Sequence, residues 1–109
     1  MSSPRPGRTV RGSRSGRPIM AALDLLGRRW ALRVLWELRD GALTFRELRA
    51  RCDDVSPTVL NQRLAELREA GIVAHEEGSG YALEGVGKAL LEALAPLHAW
   101  AAQWGRRRV

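Results

Sequence analysis

One cysteine, one tyrosine and one phenylalanine in 109 residues leave this chain little redox or phenolic chemistry to draw on. Cys52 has no second thiol for an internal disulfide, which fits a reducing cytoplasm. No run of about 18 apolar residues occurs, so no segment is expected to span a membrane. Residues 1–18 contain one valine and nothing like the apolar stretch of a secretory signal, so a cytoplasmic location is expected. Metal-ligand clusters, phosphate-binding glycine loops and nucleophile–base pairs are missing as well. His75 and His98 stand far from Cys52 in sequence, and no acid is placed to complete a triad. The expectation is therefore no enzyme, no metal centre and no cofactor. With 45% hydrophobic residues the chain reads as one folded domain with a modest core.

Acidic residues are missing from both ends. Residues 1–18 hold five arginines and 106–108 hold three, which leaves ten basic residues in the middle against twelve acidic ones. The net charge of +6 thus belongs to the termini, where an electrostatic footprint for a polyanion would lie. Residues 1–17, rich in Ser, Gly, Pro and Arg, read as a disordered arm. Arg5, Arg8, Arg11, Arg14 and Arg17 recur at every third position, and in a polyproline-like chain all five point the same way. Two readings stay open for it: a solvated tail, or an arm that follows DNA phosphates or a narrow minor groove through residues such as Arg14 and Arg17. Residues 106–109 read as a basic tail, and 18–105 as the domain between.

What the middle does contain is two helix starts in close succession. Thr44 followed by Glu47 is a capping box, with Leu43 and Leu48 placed to close a hydrophobic staple over it. Ser56-Pro57 is the next start, an N-cap with proline at the first helical position, stapled by Val55 and Leu60. Only Asp53, Asp54 and Val55 separate the two helices, so the second must cross the first sharply. A short helix, a tight turn and a longer helix with a polar outer face make a helix-turn-helix. On the second helix Val59, Leu60, Leu64 and Leu67 share one side, while Thr58, Asn61, Gln62, Ala65 and Glu69 share the other. Asn and Gln can bond adenine bidentately and Thr can meet a thymine methyl. Arg63 falls amid the apolar side; Glu47 on the preceding helix is its expected partner, in a structural ion pair that holds the crossing angle. Phe45, Leu48 and Cys52 line the inner side of the first of these two helices, so Cys52 reads as a small buried hydrophobe.

Upstream, Ile19, Ala22, Leu23 and Leu26 form a helical stripe that stops at Gly27, and Trp30, Val34, Leu35 and Leu38 form another that stops at Gly41. Downstream of Gly71, residues 72–75 and 81–83 are short strand candidates around a turn from Glu76 to Gly80. This hairpin is a wing with two acids and no lysine or arginine, poorly suited to phosphate. Residues 86–104 return to helix, with Val86, Leu90, Leu94, Leu97, Ala101 and Trp104 spaced nearly as a coiled-coil seam and Trp100 at its edge. Pro96 should kink it. So apolar a terminal helix on so small a domain is expected to pack on a second copy of the chain.

The stretches LDLLGRRWALRVLWEL, G-x-x-TFREL and VSPTVLNQRLAELREAGIV resemble the HxlR family of bacterial winged helix-turn-helix transcription regulators over residues 18–105. The resemblance implies a mainly α fold with a small β-hairpin, a winged helix-turn-helix that dimerises through its terminal helices. It further implies a homodimer on a palindromic operator of double-stranded DNA, acting as a repressor or an activator. On that reading Thr58, Asn61 and Gln62 read bases, and Thr44, Arg46, Arg49 and Ser56 hold phosphates. Leu23, Leu90, Leu94, Leu97, Trp100, Ala101 and Trp104 form the dimer interface. A small-molecule effector is left open, with a pocket near Trp30 or Trp104 as its seat. Many members carry a cysteine before the proline that opens the first helix, and several sense oxidants through it; here Arg17 precedes Pro18. The wing is shorter than usual for the family, so its contacts do not carry over. The alternative is a winged-helix protein-interaction module that binds no DNA.

Overall fold

The computed structural model describes residues 17–108. They run α1 (Pro18–Leu26), α2 (Ala31–Glu37), α3 (Phe45–Arg51), α4 (Pro57–Glu69), β1 (Val73–Glu76), β2 (Gly80–Leu83) and α5 (Gly85–Arg108). Both helix starts form as their residues dictate. In the Thr44 box the Glu47 N–H donates to Thr44 Oγ1 at 3.1 Å and the Thr44 N–H donates to Glu47 Oε1 at 2.9 Å. Ser56 Oγ accepts the Val59 N–H at 3.1 Å, with Pro57 as the first helical residue. The far end of α4 closes in a Schellman motif around Gly71, whose φ is 79°. The Ile72 N–H reaches the Leu67 carbonyl at 2.9 Å and the Gly71 N–H that of Arg68 at 3.0 Å, while Ile72 and Leu67 are both buried.

The core is one cluster built from α2, α3, α4 and the first strand, with Leu25 contributed by α1. Leu35, Leu38, Leu48, Cys52, Leu60, Leu64, Leu67 and Val73 are buried at its centre. The apolar stripes of α2, α3 and α4 therefore turn inward as the helical period requires. Ile19 and Leu23 of the α1 stripe stay exposed instead, and Ala21 and Leu25 are the buried residues of that helix.

Some boundaries differ from the sequence reading. Trp30 does not open α2 as a helical residue; it is the N-cap, held in the left-handed region at φ 74°. The hairpin pairs β1 and β2 antiparallel from Val73↔Leu83 to Glu76↔Gly80. A third strand segment also joins it: the Leu43 N–H donates to Tyr81 O at 3.0 Å and the Tyr81 N–H to Leu43 O at 2.7 Å. Gly80 is required there, because a Cβ on it would overlap the Leu43 backbone. α5, expected over residues 86–104, runs on as helix through Arg106 and Arg107, with Pro96 inside it.

Candidate nucleic-acid interface

α4 presents Thr58, Asn61, Gln62 and Ala65 to solvent, while Leu60, Leu64 and Leu67 on its other side are buried. Neither the Asn61 nor the Gln62 amide is engaged by another described residue. At the start of the helix Pro57 has no N–H, Val59 is capped by Ser56 Oγ, and Leu60 donates to Ser56 O. Thr58 therefore keeps an open N–H at the positive end of the helix dipole. The hydroxyls of Thr44 and Ser56, expected on phosphates, accept bonds from their own helices, which leaves the O–H of each as a donor.

The basic residues separate into free and committed. Arg46 is exposed, without a hydrogen bond or ion pair among the described residues. Arg49, also expected on phosphate, is spent on the turn: its Nε donates to Val55 O at 2.7 Å and its Nη2 to Asp54 O at 3.4 Å. Arg33 of α2 grips the same turn, donating from Nη2 to Arg51 O at 2.6 Å and pairing with Asp53 at 3.4 Å. Its hydrogen bond to Glu37 holds the guanidinium in the charged form. Asp53 and Asp54 need that grip, since both sit in the left-handed region at φ 57° and 56°. Aspartate is one of the few L-residues that visits this conformation readily. No signal in the local sequence pointed to Arg33.

The expected Glu47–Arg63 ion pair does not form. Glu47 spends its carboxylate on the Thr44 backbone, and the hydrogen bonds from Thr44 hold it below the usual glutamate range. Arg63 instead donates from Nη1 to Glu66 Oε1 at 2.9 Å and from Nε to the Arg29 carbonyl at 2.8 Å. Arg28 approaches the other oxygen of Glu66, Nη1 to Oε2 at 3.0 Å. That contact is an ion pair off the line of a hydrogen bond, since Arg28 Nη1 has no hydrogen-bond partner. Arg28 also binds Asp24 of α1 at 3.1 Å. Glu66 is 5% exposed, so removing one member of the cluster would strand a buried charge, a loss of about 3–5 kcal/mol. The sequence reading missed this cluster because partners 34 and 38 positions apart have no local signature (Arg29 with Arg63, Arg28 with Glu66).

Of the residues expected at a dimer face, Leu23, Leu97, Trp100, Ala101 and Trp104 are exposed. Leu94 is half-buried, and Leu90 packs against the core of its own chain. Trp100 and Trp104 stack with centroids 5.5 Å apart. Arg17 caps α1 through its carbonyl and is exposed; Arg14 lies outside the described residues. Trp30 packs on the core, and an apolar groove lies elsewhere, between α2 and α5, with a volume of about 580 Å³. Trp36 and His98 meet edge to face there, and Arg39 lies 4.1 Å over the Trp36 ring. Cys52 is fully buried, and desolvation pushes its thiol above the ordinary range despite the opposing pull of Arg33. A thiol so placed is inert.

The HxlR-like helix-turn-helix family matches residues 25–109. An uncharacterized HTH-type transcriptional regulator of Bacillus subtilis, YvaP, is 33% identical over 76% of this chain and 82% of its own length. Among solved structures, the quinone-bound YodB from B. subtilis is 33% identical over 78% of this chain and 96% of that one, with a TM-score of 0.71. A possible HxlR family transcriptional factor from Thermoplasma volcanium shares 27% identity over 78% of this chain and 82% of that one, at a TM-score of 0.70. These relatives are transcription regulators, not enzymes, and their winged-helix architecture is the one described above. The chain belongs to the HxlR-like helix-turn-helix family of DNA-binding transcription regulators.

Proposed function

We propose that two copies of the chain bind a palindromic operator, each laying α4 in one major groove. Thr58, Asn61 and Gln62 meet base edges there, and Arg46 with the Thr58 N–H holds phosphate. The observation that carries this reading is the pair of unengaged amides on the exposed side of a helix whose other side is buried. The two-fold arrangement is supported by α1 and α5. Ile19, Leu23, Val86, Leu97, Trp100 and Trp104 are each roughly half-exposed in the single chain, and α5 lays the half-buried Leu90 on the core without burying a large side chain fully. Large apolar side chains left this exposed on two helices of a small domain support an interaction site. The arm carrying Arg14 and Arg17 adds sequence-independent grip on the backbone, which the acidic wing does not supply.

An effector is part of the proposal. The quinone in the YodB relative supports a small planar ligand, and the groove beside Trp36 and His98 is its candidate seat here. Selection from a pool of random duplexes tests the whole. The expected result is enrichment of two inverted half-sites, centred roughly 34–36 Å apart. No enrichment, or a single unsymmetrical site, overturns it.

A further inference from the structure

Glu66 is the buried charged residue among the described residues, and it lies on the helix that carries the reading face. Its two oxygens are held from two directions: Oε1 by Arg63 one turn earlier on α4, and Oε2 by Arg28 in the turn between α1 and α2. Arg28 is anchored to Asp24 of α1, and Arg63 also holds the Arg29 carbonyl, next to the left-handed Trp30. Two tethers therefore run from residues 28 and 29 to one turn of α4. Apolar packing is non-directional and tolerates sliding, whereas the charge-assisted bonds from Arg63 to Glu66 and to the Arg29 carbonyl demand defined distances and angles. The Arg28–Glu66 ion pair adds a close distance between opposite charges. The position of α4 relative to α1 is thus set by the cluster rather than by the leucines alone. α1 also carries Ile19 and Leu23, the open apolar residues assigned above to the two-fold interface. In a symmetric dimer any tilt of α4 against α1 appears twice in the distance between the two reading helices.

We infer that Glu66, Arg28 and Arg63 are positioning residues that set the angle of α4 against α1, and so the half-site spacing the protein accepts. This rests on the dimeric operator reading above. The test compares full-length wild type, Glu66→Gln, Arg28→Gln and the double variant on the selected operator. Each also binds versions with one base pair added or removed between half-sites. Each single variant should lose about two- to thirtyfold affinity at the preferred spacing. Discrimination against the altered spacings should fall as well, with base preference inside each half-site unchanged. The double variant should be no worse than the weaker single one, because both break one unit. A merely structural role would lower the melting temperature and leave the ratio between spacings as in wild type. That unchanged ratio in folded variants overturns the inference. Should Glu66→Gln fail to fold, Asp24→Asn at the outer end of the cluster gives the same readout and decides the matter. If wild type itself enriches no duplex, the operator reading fails first, and this outcome is distinct from an unchanged spacing ratio.

Discussion

At the scale of residues, the division between exposed and committed side chains carries the chemistry. Asn61→Ala should reduce discrimination at one base position per half-site by about 1–3 kcal/mol, with the fold unchanged. Binding to the selected operator and to its single-base variants checks this, and undiminished discrimination would show that another face reads the bases. Glu47 makes the opposite kind of prediction, one about stability. Hydrogen bonds from Thr44 hold its carboxyl below the usual range, so its contribution is present above the unfolded pKa of about 4.3 and is lost as pH falls through the lower folded value. Glu47→Gln should therefore melt below wild type at neutral pH, and the gap should close below about pH 4. Thermal melts across that range measure it. The capping box was legible in the sequence because its partners are three positions apart. The partner of Arg63 was not, because the helical wheel shows that a guanidinium faces inward without showing which carboxylate awaits it. Glu66 was the nearer choice on the same helix, but burying it became acceptable only once Arg28 arrived from the turn after α1.

At the scale of elements, the helix-turn-helix formed where its caps placed it, and what the sequence reading lacked was the bracing around it. The turn at Asp53 and Asp54 stays in the left-handed region because Arg49 and Arg33 hold its carbonyls and Asp53. Arg33 comes from another helix. The junction between wing and α5 has a similar hidden requirement. Gly87 is buried against Ile72, and a Cβ there would overlap the Ile72 carbonyl. Gly87→Ala should destabilise the protein by about 1–3 kcal/mol through overpacking, whereas Gly85→Ala, which faces open space, should not. Chemical denaturation of the two variants separates them. Equal midpoints would mean that α5 can move away from the hairpin without loss.

At the scale of the whole molecule, the question is what covers the terminal helices. Trp100→Glu or Leu97→Glu puts a charge on an exposed apolar side, so a lone chain should tolerate it with little change in stability. In the proposed dimer the same change buries an unpaired charge. The expected outcome is a folded monomer by sedimentation, with the operator bound only weakly, because two joined half-site contacts become independent ones. A variant that stayed dimeric would move the interface to another surface. Sequence by itself determined the local features here: the two caps, the apolar stripes, the glycine-closed end of α4 and the polar side it shows to solvent. Each depends on residues within a turn or two of one another, where helical period and hydrogen-bond reach decide the outcome. Tertiary structure alone decided which distant charges meet, that Leu43 would pair with Tyr81, and that Trp30 would sit in a left-handed cap. Those outcomes depend on backbone segments brought together by the collapse of the core, and the direction of that collapse is not written in any single stretch of chain.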